Sequence, residues 1–180
     1  MGRRKSLEPI PRAPSITHAP DYAEPLRAWR LWEIEDVDAI PRLRSLYRLR
    51  FWPVGAPFVA RCEAHRFRLR RRAGHAAPTE TCSCGIYAVP LEFIRRLALH
   101  DRLPQGNSLV IGAVSLWGDV VECETGWRAG LAYPSRLFVP LACSDAEEKA
   151  TGLADYGVPV ELIDTSSVTD ALDAVAQLQV

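Results

Sequence analysis

SLVIGAVSLWGDVVECETGWRAGLAYPSRLFVP, residues 108–140, decides the fold class. Ser108–Trp117 is an apolar run (Leu109, Val110, Ile111, Val114, Leu116) with the length and β-branched content of a buried strand. Gly118 reads as its break. Asp119–Glu124 and Trp127–Tyr133 flank Glu124-Thr125-Gly126, a turn sequence, so they read as a hairpin. Pro134-Ser135 is expected to turn the chain again, and Leu137-Phe138-Val139 to form one more strand.

The same grammar extends upstream. Trp29, Leu31, Trp32 and Ile34 mark a strand over Ala28–Glu35, and Asp36–Pro41 a turn. A period-two pattern follows. Leu43, Ser45, Tyr47, Leu49 and Phe51 share one face, Arg42, Arg44, Arg48 and Arg50 the other, as in a half-buried strand. Phe58–Cys62 and the Phe67/Leu69 alternation add two short strands, and Ile86–Val89 another. Between them, Ala73–Cys84 is loop. Leu91, Ile94, Leu97 and Ala98 have helical spacing, with Pro90 before them and Pro104-Gln105-Gly106 beyond.

Downstream, Ser144 followed by Asp145, Glu147 and Glu148 starts a helix that ends at Gly157. Val158–Ile163 reads as a strand. Ser167 or Thr169 then caps a helix with Leu172, Val175, Ala176 and Leu178 on one side. The expected fold is α+β: a mostly antiparallel curled sheet or small β-barrel, with one inserted helix and a C-terminal α-β-α appendage. Residues 1–25, with Pro9, Pro11, Pro14, Pro20 and Pro25, read as a disordered tail. The β-rich body covers 26–143, and the appendage, 144–180, packs on the same core.

A 180-residue chain that is 48% apolar can bury one domain-sized core without covalent staples. The formal charge is zero, but residues 1–100 hold 18 Lys and Arg against 10 Asp and Glu, and residues 101–180 hold 4 against 12. That asymmetry points to an anionic partner for the first half, or to halves that face each other. The basic start lacks the apolar stretch of a secretory signal, and no apolar run is long enough to span a membrane. A cytoplasmic location is expected, where the five cysteines stay reduced and read as ligands or reactive groups.

Three of these cysteines and one histidine fall in one segment: Cys62, His75, Cys82 and Cys84. Thiolate and imidazole are the donors zinc prefers, and four complete a tetrahedron. Gly85 closes the turn after Cys82-Ser83-Cys84, where a positive φ lets backbone amides face the sulfurs. The alternative reading has ordinary small residues and a solvated histidine. Zinc as a structural ion is the first expectation and an iron–sulfur cluster the second. A catalytic zinc needs an open position, with Glu80 or Glu63 as base. Thiol catalysis would use Cys82 or Cys84 with His75. Cys123 is the reserve ligand, and Cys143 reads as buried.

Two further constellations stand out. Arg42, Arg44, Arg48 and Arg50 on one predicted strand, with Arg66, Arg68 and Arg70 on another, would make a positive sheet face for a nucleic-acid backbone. Trp29, Trp32, Tyr47 and Trp52 would stack on bases where exposed. Otherwise the aromatics are core and the arginines pair with the acidic half. Trp117, Trp127, Arg128 and Tyr133 could line a small pocket with Arg128 as an anion hook, or simply pack.

The run His75 to Pro78 through Cys82-Ser83-Cys84-Gly85-Ile86-Tyr87-Ala88, then Leu116 to Val121, Gly126 to Ala129 and Ala132-Tyr133-Pro134, resembles a recurring type of small actinobacterial protein. The resemblance spans about Trp52 to Pro140. It implies that Cys62, His75, Cys82 and Cys84 act together, and it implies no activity or substrate. Three functions follow from the residues: a zinc-stapled, non-enzymatic binding or adaptor module for a protein partner, a nucleic-acid binder, or a cysteine- or metal-dependent enzyme.

Overall fold

The computed structural model describes residues 24–47, 50–62, 75–99, 108–164 and 168–177. The Pro-rich tail up to residue 23, the strand read around 67–69, and Arg48, Arg66, Arg68 and Arg70 lie outside the described residues.

The fold is α+β and mostly antiparallel. Among the described residues there are seven strands: β1 (Leu26–Val37), β2 (Ile40–Ser45), β3 (Phe58–Val59), β4 (Ile86–Ala88), β5 (Leu109–Cys123), β6 (Gly126–Pro140) and β7 (Val160–Ile163). Three helices accompany them: α1 (Leu91–Leu99), α2 (Ala146–Leu153) and α3 (Val168–Gln177). The hairpin β5–β6 is the spine. One edge of β6 takes β5. The other takes β4 near Trp127–Ala129, β3 at Leu131–Ala132 and β7 at Leu137–Pro140. On the far side of β5 come β1 and then β2.

The sheet curls far enough that Val89, just past β4, exchanges two backbone hydrogen bonds with Trp29 of β1, at 2.8 and 2.9 Å. It nonetheless stays an open sheet, so the barrel alternative does not hold.

Both faces are covered, because strand side chains alternate. Trp32, Ile34, Val110, Val114, Leu137 and Val139 point to one face, where Trp52, Leu153 and Tyr156 complete a core. Leu31, Ile111 and Phe138 point to the other, against Leu91 and Ile94 of α1 and Leu172 and Val175 of α3. Ala176, expected on the buried side of α3, is exposed.

Several expected punctuation marks are absorbed. Gly118 does not break its strand. At φ 73° it sits within β5, where the register with β6 shifts between Trp117 and Val120. Such a bulge lets a strand bend without ending. Pro134 does not turn the chain either. It stays in β6 opposite Val114, beside the other register shift, where the missing N–H of proline is tolerated.

Conversely, the alternating strand expected to run to Phe51 ends at Ser45. The chain turns through Leu46–Tyr47 and comes back. Ser45 N–H donates to the Arg50 carbonyl at 2.9 Å, and Trp52 N–H to that of Leu43 at 2.8 Å. Tyr47, expected to face inward, is 83% exposed on this turn. The tail strand is no appendage strand: after the α2 crossover, β7 joins the main sheet parallel to β6. Asp145, not Ser144, is the residue at the α2 N-cap.

Candidate metal centre

The four predicted ligands come from three pieces of chain. Cys62 leaves β3, where Ala60 N–H donates to the Gly130 carbonyl at 2.8 Å. His75 opens the described loop, and Cys82 and Cys84 sit at its end, just before β4. A turn in which Cys82 N–H donates to the Thr79 carbonyl at 3.3 Å carries the first sulfur. Gly85 has φ 122°, and a Cβ there would meet the Cβ atoms of Arg128 at 3.0 Å and Pro78 at 3.1 Å. The backbone must therefore pass through a glycine at this point to lie on β6.

One ligand atom from each of Cys62, His75, Cys82 and Cys84 lies within 4.8 Å of the others. The Cys62 and Cys82 sulfurs are 3.7 Å apart, and Cys84 Sγ lies 4.0 Å from His75 Nδ1. Tetrahedral zinc with bonds of about 2.3 Å sets its sulfurs about 3.8 Å apart. The cluster thus has the donor types and spacing to hold one metal ion. No disulfide joins these cysteines. Cys84 is buried, and the other three are half-buried.

The local field favours one thiolate. A backbone hydrogen bond from Cys84 is the main cause that pulls Cys82 down to about 7, helped by His75, Cys62 and the Cys84 thiol, while burial opposes it. Cys84 is pushed up, first by its burial and then by Cys82. His75 is raised, chiefly by the Ala76 carbonyl 2.7 Å from Nδ1 and then by Cys82.

The chain matches no protein-family model, and no curated protein or solved structure resembles it significantly.

The residue that sequence reasoning misplaced is Arg128. Only 6% exposed, it reaches from β6 under the cysteine loop. One guanidinium nitrogen donates to the carbonyls of Cys84 at 2.9 Å, Thr79 at 3.2 Å and Cys82, while Nε donates to Cys123 Sγ at 3.1 Å. Tyr133 spends its hydroxyl elsewhere, accepting from Gly55 N–H and donating to the Tyr156 carbonyl. Trp127 packs on the core margin, and Trp117 is half-buried opposite Leu131. Cys123, the reserve ligand, lies outside the cluster of four and serves Arg128 instead. A sequence signal existed: Arg128 sits one residue from the hairpin turn, in register with Tyr87 of the strand that carries the cysteines.

The described arginines of the expected positive face are engaged. Arg42 pairs with Asp155 at 3.2 Å, across the two halves of the chain. Arg44 pairs with Glu33 and, at 2.6 Å, with Glu35, and the Glu33 hydrogen bond raises its pKa. Trp32 and Trp52 are buried edge to face, 5.2 Å between centroids, and are not available for stacking on bases. Trp29 stacks on Phe138. No helix among the described residues is long and apolar enough to cross a membrane.

Proposed function

We propose that this chain is a non-enzymatic binding module whose cysteine loop is stapled to the sheet by one zinc ion, held by Cys62, His75, Cys82 and Cys84. The observation that carries this reading is the packing of one ligand atom from each within 4.8 Å of the others. Four protein donors complete the tetrahedron and leave no open position for water or substrate, which is the pattern of a structural rather than a catalytic ion. An iron–sulfur cluster spreads its thiolates over several irons, so so compact a set favours a single ion. The ion would tie the segment after β3 to the loop before β4, two pieces otherwise joined through β6. Val59 and Tyr87, about half exposed on adjoining edge strands, give a protein partner apolar contacts beside the staple.

Elemental analysis of protein purified without added metal tests the reading, together with its absorption spectrum. One zinc per chain and no visible band is expected. A visible iron–sulfur band, or neither metal even after incubation with zinc, overturns it.

A further inference from the structure

Arg128 is a buried cation with no carboxylate partner among the described residues. Its guanidinium is held by three backbone carbonyls and the Cys123 sulfur, none of them a carboxylate. Among the described residues no Asp or Glu pairs with it, whereas Arg42, Arg95 and Arg136 each pair with one carboxylate and Arg44 with two. Burying a cation among neutral groups is costly, and proteins place such a charge where an anion meets it. A divalent ion bound by three thiolates and a neutral imidazole carries one net negative charge. Arg128 lies directly beneath that site, bonded to the carbonyls of two of its ligands, Cys82 and Cys84.

We infer that Arg128 is the counter-charge of the metal centre: it neutralises the net negative charge of the ion and its three thiolates and so sets the affinity of the site. This inference rests on the zinc reading above and assigns a charge role to a residue that touches no metal. Arg128 is a positioning residue as well, because the same nitrogen fixes the loop carbonyls. The two roles are separable. If the role is electrostatic, the loss on removing Arg128 depends on how many thiolates the site holds. If it only props the loop, that loss does not.

The test measures zinc affinity by competition with a chelator in a double-mutant cycle. Arg128→Met is expected to weaken zinc binding by about 10- to 100-fold, the scale of lost outer-shell contacts. Arg128→Lys, which keeps the charge, is expected to recover most of that loss. Cys62→His makes the loaded site neutral, and there Arg128→Met is expected to cost several-fold less. Cys82→His is the parallel background if an imidazole does not reach the ion from position 62. The same loss with Lys as with Met, or an equal loss in both backgrounds, overturns the inference while leaving the zinc site standing. No zinc on the parent protein instead overturns the metal reading itself.

Discussion

At the proposed site the Cys82 thiol is lowered and His75 raised, which would make metal loading sensitive to acid. The Cys82 thiol, lowered to about 7, is mostly thiolate above that pH and mostly protonated below it. His75 is raised and so holds its proton to higher pH than a free imidazole. A metal needs both groups deprotonated, so protons compete with it increasingly as pH falls. Chelator competition at pH 8, 7 and 6 is expected to show affinity dropping at each step, and a flat profile would contradict the ligand set. Gly85 supplies the second prediction at this scale. Gly85→Ala puts a Cβ 3.0 Å from Arg128 Cβ at a φ of 122° and is expected to cost about 1–3 kcal/mol in denaturant unfolding, with weaker zinc binding. The cluster of four candidate ligands was legible in sequence because thiols and imidazoles announce their own chemistry. Arg128 was not, because its partners are backbone carbonyls, which every residue carries.

At the scale of elements, Tyr156 is the informative residue. It lies in the single turn of 3-10 helix, Ala154–Tyr156, that follows α2. Its hydroxyl accepts from Leu43 N–H at 3.0 Å and donates to the Trp52 carbonyl at 2.9 Å, with both groups buried. Tyr156→Phe leaves two buried backbone groups unmatched and is expected to cost about 1–3 kcal/mol, measured as a lower denaturant midpoint with unchanged slope. A variant as stable as the parent would show that water replaces the phenol. Strand existence was readable from periodicity, while strand ends were not. Gly118 and Pro134 look like stops, yet the bulges beside them let β5 and β6 run on. Tyr47 and Phe51 fit an alternating strand, yet the chain folds back at Leu46–Tyr47 because Trp52 is buried against Trp32 and Phe58.

Across the whole molecule, local pattern says least. The parallel pairing of β7 with β6 depends on a crossover that no short window of sequence encodes. Phe138 packs with Leu91 of α1 and Leu172 of α3, and Leu153 and Tyr156 fill the other face, so the residues after Pro140 help close both cores. The proposed zinc staple should register on the same global scale. If the folded chain alone binds the ion, free zinc at 100 times its dissociation constant stabilises by about 2.7 kcal/mol. The expected result is a melting temperature that rises with zinc and returns when a chelator is added. A midpoint indifferent to both would mean that the ion is not part of the folded structure.

The return of residues 50–52 onto β2 has one more consequence. β2 is a terminal strand of the sheet, the kind that offers another chain a row of vacant backbone groups. Here Leu43 gives its N–H to a phenol and its carbonyl to Trp52, and Ser45 gives its N–H to Arg50. That border is hemmed from within, so a neighbouring copy finds little to template on along β2.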